Sequence, residues 1–357
     1  MADIAATMKL ETGFSKNAIE SLSQLKQEPD WVRARRLEAW HLYEETPLPA
    51  ANDELWRRTS LKDLKLDDVV SFTPNENADA VAALPDKFQQ IANDANAGGV
   101  LVQYNSTGTH ARLADELKQK GVIFSDIDTA IREHPDLVKQ YFMTQAVTYS
   151  ENRYASAKPS TSKSSGKHEG GGYGNTTGDL KFAALHGAFF SGGTFLYVPR
   201  GVTVDLPLQS LTYFDAPNAA IFTHTLVVVE EGASVTLIEN YSSKDAEPQR
   251  FSDGAVELIL KPGANLRYFH LQDFAQNVWH FTSQTALMDK DSSLTWLAGT
   301  LGSGTTKAFL DCKFLGQGAN ANLLGFFSAM ANSISINIRS RITSSVTRRA
   351  TCFTRAR

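Results

Sequence analysis

The chain has 357 residues, 42% of them hydrophobic and 21% charged, and its formal net charge is −4. This composition is typical of a folded protein with a substantial core and excludes a chain that is disordered throughout. The two cysteines, Cys312 and Cys352, cannot build a disulfide framework or a four-cysteine zinc site, which favours a reducing, cytoplasmic location.

The sequence also argues against membrane and nucleic-acid partners. The first residues lack a basic start followed by an apolar stretch, and no run of about 20 apolar residues occurs, so we expect neither a secretion signal nor a membrane span. Residues 328–357 contain six arginines and no acidic residue, which leaves the rest of the chain near −10 (−4 minus +6). Nucleic-acid binding depends on phosphate neutralisation by Lys and Arg, so this charge distribution disfavours it.

Residues 1–154 are predicted to form a mostly α-helical N-terminal region, since Ala, Leu, Glu, Lys and Arg fill segments that are separated by proline. The predicted elements are, in chain order, a helix over 31–45 capped by Asp30, a helix over 110–120 ended by Gly121, a strand over 122–124, a helix capped by Asp126, and a helix over 136–147.

Residues 155–178 are predicted to form a flexible Ser/Gly-rich linker. They consist largely of Ser, Thr, Lys and Gly, which cannot offset their ordering entropy by burial. Gly166 and Lys167 suggest a phosphate-binding loop. That match fails, because His168 stands where such a loop carries Ser or Thr and the upstream glycine is missing.

From Lys181 onward, short β-branched and aromatic runs broken by Gly and Pro predict strands. A similar sequence motif recurs four times, and its equivalent positions are Ala233, Ala264, Ser292 and Ala319, which are 31, 28 and 27 residues apart. A near-regular period of this size predicts stacked coils, each burying its apolar face against the next.

One segment shows the strand pattern clearly. Val256, Leu258 and Leu260 alternate with Glu257, Ile259 and Lys261, which predicts a strand with one fully buried face. The predicted fold class is therefore mainly β, with a parallel β-helix core over 179–327 preceded by the helical region. A sandwich with regularly spaced hairpins is the alternative.

Metal ligation is the first candidate chemistry. His270 and His280, with Cys312 on a neighbouring coil, are the best candidates, but a zinc or iron site needs three or four converging ligands and no close Cys or His pair occurs. We therefore predict no metal ligand. We interpret Cys312, which lies in an apolar strand, as a packed small side chain and not as a reactive thiolate.

Parallel β-helices also occur among polysaccharide-cleaving enzymes, so paired carboxylates are a second candidate. Glycoside hydrolysis needs two carboxylates about 5 to 9.5 Å apart. The carboxylates available in this region are Asp205, Glu230, Glu239, Glu257, Asp273 and Asp289. They are scattered along the sequence, and a groove that brings two of them together would favour this enzyme class. Residues 191–194 (SGGT) do not form a nucleophile elbow and predict a turn between strands.

Several long stretches together resemble the SufB/SufD family, and SufD in particular. They are residues 28–31 (EPDW), 47–49 (PLP), 54–61 (ELWRRTSL), 121–126 (GVIFSD), 134–142 (HPDLVKQYF), 181–202 (KFAALHGAFFSGGTFLYVPRGV), 206–210 (LPLQS) and 224–233 (HTLVVVEEGA). Spread from residue 28 to about 327, these composite matches are far more specific than any short motif.

The resemblance implies a component of the SUF iron–sulfur cluster assembly system. It implies a right-handed parallel β-helix flanked by helical regions, and a non-enzymatic scaffold that pairs with a SufB-like paralogue above a SufC-like ATPase. Because SufB is the usual cluster-bearing partner, few cysteines favour SufD, with a SufB-type scaffold as the alternative. An iron–sulfur cluster is expected only in complex with the SufB partner, no other cofactor is predicted, and a homodimer remains an open alternative.

The C-terminus departs from the family. After Phe327 the chain becomes basic, ten of its last 30 residues are Ser or Thr, and no strand-plus-turn unit is expected at the established period. If each codon takes the third base of one present codon and the first two bases of the next, the codons of Met330 and Ala331 encode Gly, and the neighbouring codons permit residues that resemble the family. We therefore expect a frameshift near Phe327, a truncated β-helix and impaired assembly. A natural basic tail that binds an acidic partner is the alternative.

Overall fold

A computed structural model describes residues 12–50, 53, 55–75, 77, 79–148, 177–245, 247–327, 333–342 and 349–356. For residues 177–179, 333–342 and 349–356 it describes the backbone only. Among all these residues, no helix combines the length and the apolar character needed to cross a membrane.

Seven helices lie in the described part of the chain, six of them before residue 149. They are α1 (Lys16–Leu25), α2 (Asp30–Glu45), α3 (Asp86–Ala92), α4 (Asp115–Gln119), α5 (Ile127–Glu133), α6 (Pro135–Tyr141) and α7 (Thr177–Phe189). Asp126 caps α5 as predicted, since its side chain accepts the N–H of Thr129 at 2.9 Å. The capping role of Asp30 was wrong: Asp30 is the first helical residue, and Pro29 precedes it without a side-chain hydrogen bond.

Three strands interrupt the predicted helical region. They are β1 (Gly99–Tyr104), β2 (Thr107–Leu113) and β3 (Ile123–Asp126). β3 confirms the predicted short strand. The predicted helix over 110–120 was wrong in its first half, because residues 107–113 pair antiparallel with β1, and only α4 remains helical. The last helix, predicted to reach 147, ends at Tyr141, and Met143 shortly after it takes a left-handed φ of 50°.

The remaining strands build a parallel β-helix, as predicted. They are β4 (Thr194–Val198), β5 (Leu208–Phe214), β6 (Ala220–Ile221), β7 (His224–Val229), β8 (Ser234–Ser243), β9 (Arg250–Leu260), β10 (Asn265–Asp273), β11 (Val278–Met288), β12 (Ser293–Thr300), β13 (Thr305–Phe314), β14 (Asn320–Phe327), β15 (Ser333–Ile342) and β16 (Arg349–Ala356).

Successive strands alternate between two walls, which we call sheet A and sheet B. Sheet A has the order β16-β14-β12-β10-β8-β5-β1-β2, and sheet B has the order β15-β13-β11-β9-β7-β4-β3. Each coil therefore gives one strand to each wall, except that the short β6 and β7 both pair with β9 in sheet B. The side chains that point between the walls fill the lumen of the solenoid. The strands that belong to the helical region, β1 to β3, extend these same walls.

The repeated sequence motif forms the turn between a strand of sheet B and the next strand of sheet A. Its four equivalent residues, Ala233, Ala264, Ser292 and Ala319, are each at most 1% exposed. The residue immediately before each of them has a positive φ of 67°, 69°, 56° and 74°, at Gly232, Gly263, Asp291 and Gly318. A left-handed residue followed by a small buried one is thus the turn that these four coils share, which explains why the sequence repeats there.

The outer face of sheet B is covered by helices, which corrects two predictions. Residues 181–189, predicted as strand, belong to α7, and Trp40 of α2 packs edge-on against Phe189 with ring centroids 5.9 Å apart. The strand β9 was expected to bury only the face that carries Val256. On its other face, Glu257 is 0% exposed and Ile259 is 4% exposed, so both faces are buried. The lumen covers one face of β9, and the helical region covers the other.

A buried arginine fixes this cover in place. Arg36 on α2 is 0% exposed and pairs with Glu28 at 2.5 Å. It also donates to the carbonyl oxygens of Ala188 and Phe190, at 3.0 and 2.9 Å, where α7 ends. A cation at a helix C-terminus is favourably placed, because it pairs with carbonyl groups that have no partner inside the helix.

After Phe327 the backbone continues for one more coil. β15 pairs parallel with β13 and β16 with β14, although no further strand unit was expected. Ile334, Ile336 and Ile338 alternate with polar residues, which is the period of a strand, and this period is compatible with the high Ser and Thr content of the segment. The backbone does not test the frameshift, which stays a prediction. The predicted linker lies outside the described residues except for 177–178, which begin α7.

Candidate functional site

Two buried polar clusters are candidates for function. The first, the His–Glu chain, consists of His186, His224 and Glu257 and lies between sheet B and the helical cover. The second, the Glu239 cluster, consists of Glu239 with the hydroxyl groups of Thr194, Thr225, Tyr241 and Tyr268 and lies in the lumen.

The His–Glu chain is a continuous line of hydrogen bonds. Nδ1 of His186 lies 2.9 Å from the carbonyl oxygen of Asp253, and Nε2 of His186 lies 3.0 Å from Nδ1 of His224. Nε2 of His224 lies 3.1 Å from Oε1 of Glu257. The carboxyl group of Glu257 also accepts the backbone N–H groups of Met143 at 2.6 Å and Val147 at 3.1 Å. The line therefore joins α7, sheet B and the segment after α6.

The acceptor at one end of this line restricts where the hydrogens lie. A carbonyl oxygen only accepts, so Nδ1 of His186 carries a hydrogen, and a neutral His186 then accepts at Nε2 from Nδ1 of His224. A neutral His224 must in turn accept at Nε2. In that neutral state of both imidazoles, the hydrogen between His224 and Glu257 belongs to the carboxyl group.

Burial keeps both imidazoles neutral. Desolvation lowers the pKa of His224 from 6.5 to about 3. It also lowers the pKa of His186 well below its ordinary value, with smaller contributions in the same direction from His224 and Arg36. His186 is 1% exposed and His224 is 0% exposed. Among the described residues, the His–Glu chain is thus a closed connection without an open face for a substrate.

The Glu239 cluster holds a carboxylate inside the lumen. Oxygen atoms of Glu239 accept from Tyr268 at 2.5 Å, Thr194 at 2.7 Å, Thr225 at 3.0 Å and Tyr241 at 3.2 Å. Desolvation raises the pKa of Glu239, and these hydrogen bonds oppose that shift. Four hydroxyl donors are enough to satisfy a carboxylate, so the cluster is internally paired.

The structure separates the metal candidates. His270 and His280 both face the lumen, and desolvation lowers their pKa values to about 4 and about 3. Cys312 lies elsewhere, in the apolar part of the lumen, where its strand neighbour across sheet B is Ala286. Among the residues that the structure describes, no group of three or more His, Cys, Asp or Glu side chains is placed to hold a metal ion.

The candidate carboxylates face different surroundings. Glu239 lies in the lumen and Glu257 under the helical cover, so sheet B separates them. Asp205 is exposed, and exposed Asp273 pairs with Lys87 at 3.0 Å. Residues 191–194 lead from a helix into a strand, not from one strand to another as predicted.

Sequence interpretation missed the His–Glu chain. His186 and His224 lie inside the two stretches that carry the family resemblance most strongly, residues 181–202 and 224–233, but neither was singled out. Their positions differ by 38 residues, and His224 is 33 residues from Glu257. A signal was present in the charged Glu257 within an apolar strand, since a buried carboxyl group requires partners.

Comparison with known proteins supports the resemblance. Residues 212–348 match the family model described as "SUF system FeS cluster assembly, SufBD core domain". A protein of Staphylococcus haemolyticus named iron–sulfur cluster assembly SufBD family protein is 30% identical over 324 residues, which cover 88% of this chain and 62% of that protein.

Two further relatives carry the same family name. One from Staphylococcus epidermidis is 29% identical over 334 residues, covering 91% of this chain and 64% of the relative. One from Staphylococcus aureus is 29% identical over 332 residues, covering 90% and 64%. The chain therefore spans about 62% to 64% of the length of these relatives. With its parallel β-helix and these similarities, the chain belongs to the SufB/SufD family.

Proposed function

We propose that the chain is a SufD-like component of a SufBCD-type complex and acts as a scaffold partner in iron–sulfur cluster assembly. The observation that carries this proposal is the SufBD core match over residues 212–348, which includes the whole of strands β6 to β15. The named relatives, described as iron–sulfur cluster assembly proteins, support the same process.

A scaffold role without catalysis agrees with the chemistry of the buried clusters. His186, His224, Glu239 and Glu257 are each at most 1% exposed, and their polar atoms bond to other groups of the same chain. General acid or base catalysis needs a side chain within hydrogen-bond reach of a substrate. These groups instead hold the fold together, so the solenoid surface is left to bind partner proteins.

The environment of Cys312 favours SufD over SufB. Its side chain is 0% exposed, and burial raises the pKa of its thiol to about 12, with Asp311 adding to the shift. A thiolate is the form that binds metal, and a thiol with such a pKa remains protonated at neutral pH. We therefore assign cluster binding to a SufB-like paralogue and ATP hydrolysis to a SufC-like ATPase, both partners of this chain in the cytoplasm.

The experiment is complementation of a strain that lacks its own SufD-type protein, with the activity of an iron–sulfur enzyme as readout. The gene is tested as written and with the alternative frame after Phe327. We expect the alternative frame to restore activity, and Cys312→Ala in that frame to restore it equally. Loss of activity with Cys312→Ala, while the folded protein is still produced, would favour the SufB-type alternative. Failure of both frames would count against the scaffold role.

A further inference from the structure

Three neighbouring polar side chains form what we call the lumen site: His270 and Gln272 on β10 and Gln284 on β11. They are 6%, 1% and 3% exposed. Nε2 of Gln284 lies 3.0 Å from Nδ1 of His270 across the lumen, and it also donates to Thr282 at 3.2 Å. His270 and Gln272 are two positions apart on one strand, so their side chains share the lumen face.

Four polar atoms of the lumen site have no hydrogen-bond partner among the described residues. They are Nε2 of His270, both side-chain polar atoms of Gln272, and Oε1 of Gln284. Buried polar atoms in folded proteins are nearly always paired, with protein groups or with ordered water. Four such atoms on three neighbouring side chains indicate that a bound molecule completes their hydrogen bonds.

The unpaired atoms define the chemistry of that molecule. Nδ1 of His270 accepts from Gln284, and a neutral imidazole that accepts at Nδ1 carries its hydrogen on Nε2, which is therefore a donor. Gln272 offers an amide donor and a carbonyl acceptor, and Gln284 offers a second carbonyl acceptor. The site is uncharged and mixes donors with acceptors. A cation would face N–H groups, and an anion would face two carbonyl oxygens.

The surrounding groups add no free charge. Glu239 is the neighbour of His270 on β8, but its carboxylate already accepts from four hydroxyl groups. The ring of Tyr241 packs 4.7 Å from the ring of His270. On the opposite wall, Nδ1 of His280 lies 3.1 Å from the hydroxyl group of Ser252. The lumen site is therefore a neutral polar region between paired groups.

We propose that the lumen site binds ordered water, which joins His270, Gln272 and Gln284 into one hydrogen-bonded network inside the β-helix. Water both donates and accepts, and buried water molecules typically make about three hydrogen bonds to such groups. The network connects sheet A to sheet B at the level of β10 and β11.

The test combines a crystal structure with a matched pair of variants. Gln272→Met removes both polar atoms of Gln272 with little change in volume. Leu266→Met, on the same strand and also buried in the lumen, gives the cost of methionine there. We expect water density within hydrogen-bond distance of Nε2 of His270. We also expect the folded-to-unfolded ratio of Gln272→Met to be about tenfold below that of Leu266→Met, because a bound water loses partners.

A lumen without bound water predicts a different result for the same variants. In a dry lumen the unpaired amide of Gln272 would be costly, so Gln272→Met would raise the folded-to-unfolded ratio above that of the unsubstituted protein and no density would be seen. Crystals soaked in bromide and, separately, in Zn²⁺ test the other occupants. An anomalous peak for either ion at the lumen site would overturn the assignment to water.

Discussion

The backbone N–H of Met143 donates to Oε1 of Glu257 over 2.6 Å. Met143 follows α6 in the helical region and Glu257 lies in the middle of β9, so one carboxyl group fixes the end of the helical region onto the solenoid. The same oxygen atom lies 3.1 Å from Nε2 of His224. Glu257 is therefore one of the side chains that join the two parts of the molecule, alongside Lys313, which donates to the carbonyl oxygens of Gln145 and Ala146 at 3.1 Å.

Substitution of Glu257 tests whether its carboxyl group is neutral. Glu257→Gln keeps one acceptor oxygen and supplies an amide donor to His224, so we expect a loss of only about 1 kcal/mol in the free energy of unfolding. Glu257→Leu leaves His224, Met143 and Val147 without this partner, and we expect a loss of about 3 kcal/mol or more. Urea denaturation measures both. A Gln variant as unstable as the Leu variant would show that an ion pair is present.

The pH dependence of stability follows from the buried histidines. Burial lowers the pKa values of His224, His270 and His280 from 6.5 to about 3, 4 and 3. A lowered pKa in the folded state gives stability that is present above pH 6.5 and is lost as the pH falls towards the folded value. Between those limits each histidine contributes about 1.4 kcal/mol per pH unit.

Two carboxyl groups act in the opposite direction. Desolvation raises the pKa values of Glu239 and Asp253, so their contribution is present at low pH and is lost as the pH rises through the raised values. We expect the histidines to dominate below pH 6.5, with a steep fall in the urea midpoint. His270→Gln should flatten that fall, whereas His41→Gln, at an exposed position, should not. Equal slopes for all three proteins would contradict the buried neutral state of His270.

Gly193 and Gly201 both have a positive φ but differ in how closely other backbone atoms approach them, so together they test the cost of that close approach. A Cβ atom at Gly193, with φ of 115°, would lie 2.2 Å from the carbonyl oxygen of His224. A Cβ atom at Gly201, with φ of 70°, would meet nothing within 4 Å. We expect Gly201→Ala to cost about 1 kcal/mol through strain alone and Gly193→Ala to cost at least about 3 kcal/mol. Thermal unfolding compares the two, and similar melting temperatures would contradict the close approach.

The Glu239 cluster gives a fourth prediction. Tyr268→Phe removes the shortest hydrogen bond to the buried Glu239, so we expect a loss of about 1 to 3 kcal/mol. Tyr104→Phe serves as control, because Tyr104 donates to the partly buried Asp215 at 2.8 Å and water can replace its hydroxyl group. A smaller loss for Tyr268→Phe than for Tyr104→Phe in urea denaturation would contradict the assignment of Tyr268 as a partner of a buried carboxylate.

The solenoid could be predicted from the sequence because four successive coils share the same corner, the turn from sheet B to sheet A. The residues equivalent to Ala233 recur at that corner, and the period is visible without any structure. The helix α7 could not be predicted in the same way. Residues 181–189 are apolar on almost every side, and a short apolar run that is buried all round looks the same whether it is a helix or a strand.

The buried clusters could not be predicted because they depend on stacking between distant segments. Glu239 meets Tyr268 only because β8 lies beside β10, and His186 meets His224 only because α7 covers sheet B. The period of the coils indicates that Glu239 and Tyr268, 29 residues apart, lie on stacked strands, but it carries no information about His186, which lies on a helix outside the solenoid. The metal candidates fail for a related reason. His280 and Cys312 lie on adjacent strands of sheet B, but their positions are six residues apart in register, so their side chains do not meet.

The most direct test of the central claim is co-expression of the tagged chain with a SufB-like paralogue and a SufC-like ATPase, followed by native mass spectrometry of the purified complex. The chain is compared as written and with the alternative frame after Phe327. We predict a stoichiometric complex for the alternative frame and weaker assembly for the chain as written. If neither version binds the SufB-like paralogue, while both are soluble and folded, the scaffold role is contradicted.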